Sequence, residues 1–109
     1  MTGRPRRARQ DELETIQKMD QLCFPHDSRD IEEGDLWWVV PAGRGSLAAY
    51  GGLRIVSDGR VGYLFRVGVL PEFRGRGLQR KLIRSRINHA RKLGLERVVS
   101  YTTDRKSVV

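Results

Sequence analysis

Residues 67–87 read Val-Gly-Val-Leu-Pro-Glu-Phe-Arg-Gly-Arg-Gly-Leu-Gln-Arg-Lys-Leu-Ile-Arg-Ser-Arg-Ile, a β-like run that enters an Arg/Gly turn and then an amphipathic segment. This order predicts a strand, a tight turn and a helix. The first-turn N–H groups of a helix have no intrahelical acceptor and lie at its positive end, so they can bind an anion. Gly75 and Gly77 would let the backbone approach the anion, while Arg74 and Arg76 would add charge. The stretch therefore predicts an anion-binding helix start.

Length and charge limit which ligand this helix start could serve. The 109 residues suffice for one domain, and the net charge of +8 favours nucleic acid, an acidic membrane surface or a phosphorylated cofactor as partner. Nine of the 13 acidic residues lie within residues 11–35. The basic residues crowd the turn and the helix after it, at Arg74, Arg76, Arg80, Lys81, Arg84, Arg86, Arg91 and Lys92.

The remaining composition predicts a cytoplasmic protein without a metal. Cys23 is the only cysteine, so the chain has neither an intrachain disulfide nor a cysteine metal site. His26 and His89 have no paired ligands in the sequence. No segment reaches the ~20 apolar residues of a membrane span, so no membrane partner is expected. We expect a monomer or a homodimer.

Hydrophobic periodicity predicts the order of elements. Apolar residues at three- and four-residue steps predict helices within residues 11–23 and 78–93, with Gly94 as a C-terminal cap. Runs rich in β-branched and aromatic residues predict strands at residues 36–40, 46–56, 60–70 and 97–103. A hairpin turn at Asp58-Gly59 makes the first three strands antiparallel, and the helix crossover makes the last one parallel to the third. The fold class is therefore α/β (α+β), with a mixed, mostly antiparallel sheet flanked by helices.

Two adjacent tryptophans lie on the first of these strands. Trp37 and Trp38 point to opposite faces because side chains alternate along a strand. We expect one of them in the core and the other in a substrate groove.

The Arg/Gly turn matches neither of two better-known phosphate loops. The P-loop pattern is absent, and the dinucleotide pattern Gly-x-Gly-x-x-Gly has Arg80 in place of its third glycine. Instead, Arg74-Gly75-Arg76-Gly77-Leu78-Gln79 resembles the acyl-CoA signature of the GNAT superfamily of N-acetyltransferases, Gln/Arg-x-x-Gly-x-Gly/Ala. Gln79 departs from this signature, since the family usually has Gly or Ala there. The order of elements over residues 4–103 resembles that family as well.

This resemblance implies a function and a cofactor site. It implies transfer of an acetyl group from acetyl-CoA to the amine of a small molecule or peptide, by direct attack on the thioester. The backbone of Val67 and Val69 would bind the pantetheine arm, and Arg80 and Lys81 would lie near the phosphoadenosine. The N–H groups of residues 74–79 would hold the pyrophosphate. The implied cofactor-binding residues are Val67, Val69, Arg74, Gly75, Arg76, Gly77, Leu78, Gln79 and Arg80.

The catalytic groups are less defined. Many relatives carry a carboxylate base near the position of Tyr63, but residues 60–70 contain no carboxylate. The base is therefore water, a carboxylate from elsewhere, or a group outside this chain, and the candidates in the chain are Glu32, Glu33 and Asp35. We expect Tyr63 to line the acceptor site. Tyr101 is a second catalytic candidate, although a packing or groove role suits its strand position better.

The C-terminal end departs from the family pattern. The family's fold continues after the strand at 97–103 with a helix and two more strands, so we expect residues 1–103 to form a truncated GNAT domain lacking these elements. Residues 104–109 do not resemble that helix, and one codon reading of them matches sequencing-adapter DNA. We expect them to be a non-native tail. An uncovered sheet edge would favour dimerisation.

Two other functions remain open from the sequence. A non-catalytic CoA-binding or regulatory module would fit the missing carboxylate. A basic nucleic-acid-binding domain would fit the charge, but the basic helix lacks the interleaved aromatic residues of a single-strand platform, so nucleic acid is not the expected partner.

Overall fold

One six-stranded sheet organises the chain. A computed structural model describes residues 2–26, 34–56, 58–102 and 105–108, and from residue 101 onward it describes the backbone alone. The strands are β1 (Arg6–Arg7), β2 (Leu36–Pro41), β3 (Leu47–Val56), β4 (Val61–Val69), β5 (Arg97–Thr102) and β6 (Arg105–Val108). The helices are α1 (Leu13–Cys23) and α2 (Leu78–Lys92).

The sheet has the mixed topology that the sequence predicts. Strands β2, β3 and β4 form an antiparallel meander, and β4 and β5 are parallel neighbours joined through α2. At the turn between β3 and β4, Asp58 and Gly59 have φ of 58° and 85°. Positive φ at two successive residues is what tight hairpin turns require.

The two helices cover opposite faces of the sheet. Trp37 of β2 belongs to a core cluster with Ile16 of α1, whereas Trp38 belongs to a cluster with Leu82 of α2. Trp37 and Trp38 are only 5% and 4% exposed. The expectation that one of them lines an open groove is therefore wrong, because each face of β2 is covered by a helix.

The ends of the chain differ from the sequence prediction. Arg6 and Arg7 form β1 by pairing with β2, although no strand is predicted there. A 3-10 turn at Gln10–Glu12 precedes α1, which begins at Leu13 rather than at residue 11. Strand β6, which the sequence does not predict, pairs antiparallel with β5 within the segment expected to be a non-native tail. Strands β1 and β6 are short, so they show little periodicity in the sequence and form by pairing with an adjacent strand edge.

Glu12 ties the N-terminal segment to the start of α1. Its two carboxylate oxygens accept hydrogen bonds from Nη1 and Nη2 of Arg6 at 2.8 Å each, and one also accepts from the backbone N–H of Arg9 at 2.8 Å. The Glu12 side chain is only 9% exposed. The bonds from Arg6 hold the pKa of Glu12 at about 2.

The ion pair between Arg6 and Glu12 should make the loss of folding stability at acidic pH depend on Glu12. The folded pKa of about 2 lies below the unfolded value of ~4.3. Glu12 therefore contributes stability that is present above the unfolded pKa and is lost as the pH falls through the folded one. Urea unfolding at pH 7 and pH 3 should show a smaller acid-induced loss for Glu12→Gln than for the wild type.

Asp11→Asn is the matched control, because the Asp11 side chain is 77% exposed. It should keep the wild-type pH dependence. Equal acid sensitivity of Glu12→Gln and the wild type would contradict the assignment.

Candidate functional site

The candidate site forms where β4 separates from β5. These strands pair only from Val61 and Arg97 to Leu64 and Ser100, whereas β4 stays paired with β3 as far as Val69. Beyond Leu64, no strand of the described chain lies on the β5 side of β4. The backbone groups on that side are available to a ligand lying along the strand.

Alternation along β4 determines which residues offer their backbone to this open side. The N–H of Leu70 donates to the carbonyl oxygen of Ala48 on β3 at 3.0 Å. Because successive residues of a strand direct their N–H and C=O to opposite sides, those of Val69 and Val67 point away from β3. The two residues predicted to bind a pantetheine arm therefore have their polar backbone groups on the open edge.

A β-bulge at Arg66 lies at the start of the opening. Gly52 pairs with Phe65 and Gly51 with Val67, so Arg66 is the extra residue of the bulge. Its φ of 48° is unusual for a residue other than glycine. Bulges bend a strand and redirect its side chains, and a strained residue persists only where its surroundings hold it.

A buried hydrogen-bond network holds this bulge against α1. Nη2 of Arg66 and the hydroxyl of Tyr50 donate to the two carboxylate oxygens of Asp20, each at 2.5 Å. Burial, reinforced by the bond to Asp20, raises the pKa of the fully buried Tyr50 above its ordinary value. The Arg66 guanidinium also lies 4.5 Å from the ring centre of Phe24. The C-terminal end of α1 is thereby fixed beside the open part of β4.

The Arg/Gly turn has the conformation that its glycines predict. Gly75 and Gly77 have φ of 80° and 74°, and a Cβ added at either would meet no atom within 4 Å. Gly77 directly precedes α2, and no side chain of the described residues caps that helix start. The first-turn N–H groups remain available to an anion, as the sequence predicts.

The open edge of β4, the turn and the end of α1 enclose a cavity of ≈ 450 Å³. Ligand sites usually measure ~300–1,000 Å³. We call it the larger cavity, to distinguish it from a smaller one described below. Seven of the nine residues predicted to bind the cofactor line it: Val67, Val69, Arg74, Gly75, Gly77, Leu78 and Gln79. Nε of Arg74 donates to the carbonyl oxygen of Val69 at 3.0 Å, which ties the turn to the strand.

The side chains of the other two predicted residues point elsewhere. Arg76 lies with its guanidinium 5.4 Å from the ring centre of Phe73 and donates to the backbone oxygen of Glu72 at 3.4 Å. Arg80 lines a separate groove on α2, together with Arg84. The part of Arg80 that lies near the helix start is its backbone N–H, in the first turn of α2.

Four wall residues of the larger cavity are not evident in the sequence: Cys23, Phe24, Gly68 and Phe73. The first two come from the end of α1, which the chain brings to β4 only on folding. No local pattern marks them, since a Phe-Pro pair after a helix predicts a helix stop and nothing more.

A smaller cavity of ≈ 160 Å³ lies at the gap between β4 and β5. Tyr63 of β4 and Ser100 of β5 line it from the sheet, and Arg86 lines it from α2. It shares Val67 and Gln79 with the larger cavity, so the two are adjacent. The structure thus places Tyr63 next to the predicted cofactor residues.

Asp35, the candidate base that lies among the described residues, lines neither of these two cavities. No other described residue that lines them is a carboxylate. Both oxygens of Asp35 accept hydrogen bonds from Arg54 at 2.9 Å, and the Asp35 side chain is 4% exposed. Glu32, Glu33 and the side chain of Tyr101 lie outside the described residues; the backbone of Tyr101 belongs to β5.

The described part of the chain contains no group of three His, Cys, Asp or Glu residues that could hold a metal ion. None of the helices in that part is long and apolar enough to cross a bilayer.

The side chain of Tyr50 lies so close to Gly68 that we expect the fold to need a glycine at this position. A Cβ added at Gly68 would lie 2.7 Å from the hydroxyl oxygen of Tyr50 and closer still to its ring. Because Tyr50 is fully buried, Gly68→Ala should lower the free energy of unfolding by ~1–3 kcal/mol in urea melts. Gly43→Ala, where an added Cβ meets nothing within 4 Å, should change it by less than ~0.5 kcal/mol. Equal stabilities would show that Tyr50 moves aside freely.

The sequence matches one family model over most of its length. The model describes the acetyltransferase (GNAT) family and matches residues 6–107. No curated protein matches the sequence significantly.

Solved structures share the fold at low sequence identity. A Trypanosoma brucei acetyltransferase is 19% identical with a TM-score of 0.75, over 94% of this chain and 84% of its own. AAC(6')-Iy, in complex with the bisubstrate analogue CoA-S-monomethyl-acetylneamine, is 18% identical with a TM-score of 0.76, over 94% and 80%. The ribosomal-protein-S18-alanine N-acetyltransferase from Escherichia coli is 19% identical with a TM-score of 0.73, over 92% and 66%.

Proposed function

The chain belongs to the GNAT family of acetyltransferases, and we propose that it transfers an acetyl group from acetyl-CoA to an amine. The observation that carries this proposal is the continuity of one cavity from the open edge of β4 to the uncapped start of α2. The amine nitrogen would attack the thioester carbon directly. An N–C bond forms, the C–S bond breaks, and the amine proton leaves.

The larger cavity offers groups that fit each part of the donor. The outward N–H of Val69 and the outward C=O of Val67 would pair with an extended pantetheine arm, as an added strand would, while Arg74 bonds the carbonyl oxygen of Val69. The start of α2 would hold the pyrophosphate, because Gly75 and Gly77 leave room for it and the helix dipole favours negative charge. Arg74 would add a cation beside the phosphates, with Arg80 and Lys81 nearer the phosphoadenosine.

Proton removal and charge stabilisation would come from water and backbone. An amine resembling lysine has a reference pKa of ~10.4, so it must lose a proton before it can attack near neutral pH. Since no described carboxylate lines the cavities, we propose that a water molecule takes this proton. The N–H of Val67, which points to the open edge where the two cavities meet, would stabilise the negative oxygen that develops during attack.

Gly77→Glu should abolish binding of acetyl-CoA, because it places bulk and negative charge at the proposed pyrophosphate position. Isothermal titration calorimetry with acetyl-CoA should show that the affinity falls about 100-fold or more, equivalent to ~2.7 kcal/mol. Gly59→Glu is a matched control, since Gly59 has a similar φ of 85° and equally open surroundings in a hairpin turn. Equal weakening by both variants would point to backbone strain alone.

A panel of amines would separate catalysis from binding. Release of free CoA with some amine supports acetyl transfer. Binding of acetyl-CoA without release with any amine would favour a non-catalytic CoA-binding module. The lack of a carboxylate among the described wall residues of both cavities also agrees with such a module.

Tyr63→Phe tests the acceptor side of the site. Tyr63 lines the smaller cavity, where the acyl group and the amine would meet. Loss of one hydroxyl hydrogen bond, worth ~0.5–1.5 kcal/mol, should change kcat/KM for the amine about 2- to 10-fold and leave KM for acetyl-CoA unchanged. Steady-state kinetics with both substrates varied would measure this, and unchanged kinetics would remove Tyr63 from the acceptor site.

A further inference from the structure

Arg86 is a charged residue at a core position of α2. It is 1% exposed and continues the buried stripe formed by Leu78, Leu82 and Ala90. Hydrophobic periodicity in the sequence predicts apolar residues along that stripe, so an arginine is expected on the solvated basic face of the helix. The structure places it against the sheet instead.

The hydrogen bonds of Arg86 leave its charge without a counter-ion. Nε donates to the carbonyl oxygen of Leu82 at 3.1 Å, and Nη1 donates to that of Gly52 at 2.9 Å. No carboxylate of the described residues contacts it, and none of them accepts from Nη2. Burial lowers the pKa of Arg86 to about 10, so it remains charged at neutral pH.

The fold accommodates this cation at a cost. Burying a charge that has no counter-ion is unfavourable, and hydrogen bonds to backbone carbonyls offset only part of that cost. Gly51 makes room for the side chain, because a Cβ added there would lie 3.0 Å from Cζ of Arg86. An arginine has five N–H donors, and most of those of Arg86 remain for a ligand.

Arg86 lies where the acyl end of a bound donor would be. It lines the smaller cavity, which adjoins the larger one through Val67 and Gln79. Arg86 follows Leu78 by two helical turns, or ~12 Å along the axis. A donor with its phosphates at the start of α2 and its arm along β4 would therefore direct its acyl group towards Arg86.

We propose that the smaller cavity is an acyl pocket for CoA thioesters whose acyl chain ends in a carboxylate, such as malonyl or succinyl, and that Arg86 binds this carboxylate. The proposal rests on the CoA-binding part of the proposed function. Guanidinium and carboxylate form paired, charge-assisted hydrogen bonds, which strengthen away from water. One water needs only ~10–15 Å³ of such a cavity, so ≈ 160 Å³ has room for an acyl chain longer than acetyl.

A purely structural role for Arg86 makes a different prediction. Gly52 lies at the register shift of the bulge, where the ladder between β3 and β4 is interrupted, and Arg86 bonds its carbonyl oxygen. If bracing this oxygen were the whole role, replacing Arg86 would lower stability but would not change the preference among acyl groups.

Isothermal titration of the wild-type protein with free CoA, acetyl-CoA, malonyl-CoA and succinyl-CoA tests the proposal. We expect at least one of the two carboxylated donors to bind about 10-fold or more tightly than acetyl-CoA. If acetyl-CoA binds as tightly as both, the acyl-pocket assignment is overturned while the CoA site stands. If none of the four compounds binds, the proposed function fails and this inference fails with it.

Variants of the same helix identify the residue responsible. Arg86→Leu should reduce the preference to about 2-fold or less with little change in the affinity for free CoA. Arg86→Lys keeps the charge without the paired geometry and should retain part of the preference. Arg84→Leu, at an exposed position of α2, should behave as wild type. Full preference in either folded Arg86 variant would overturn the assignment, so the test remains decisive if Arg86→Leu proves too unstable to purify.

Discussion

The bulge at Arg66 is the constraint on which the rest of the site depends. It coincides with the point where β4 loses its partner β5, and one arginine makes hydrogen bonds on each face of the sheet around it. On the α1 face, Arg66 itself bonds Asp20, which Tyr50 also holds. On the α2 face, Arg86 bonds the carbonyl oxygen of Gly52 opposite the bulge. These charge-assisted bonds in a water-poor interior keep a strained strand open rather than letting it pair along its whole length.

Opening the strand creates two adjacent spaces with different chemistry. The larger cavity is bordered by backbone groups and by an uncapped helix start, which suit an extended arm and a phosphate. The smaller one contains Tyr63 and the cation of Arg86, and its character therefore depends on side chains. Backbone geometry is set by the fold and can be shared by proteins of about one-fifth identity, such as the Trypanosoma brucei enzyme. Under the proposed function, substrate preference would depend on the few side chains that line the gap.

Much of the fold follows from local signals in the sequence. The 3.6-residue period predicts both helices, and the β-branched runs predict β2 to β5. Asp58, Gly59, Gly75 and Gly77 have the positive φ that their residue types suggest. The Arg/Gly signature predicts most of the larger cavity. Three expectations fail or shift for non-local reasons: Trp37 and Trp38 are both covered by helices, β1 exists only through β2, and Asp35 is held by Arg54.

The sequence by itself determined the order of the two helices and of β2 to β5, the turn conformations and the uncapped start of α2, because these depend on residues within a few positions of one another. Only the tertiary structure decided which distant segments complete the site. Phe24 reaches β4 through the packing of α1, and Arg86 turns from an apparent surface charge into a buried one because α2 presents that position to the sheet. Charge alone does not reveal burial, since the space and the carbonyl acceptors that receive Arg86 come from Gly51 and Gly52, more than thirty residues earlier in the chain.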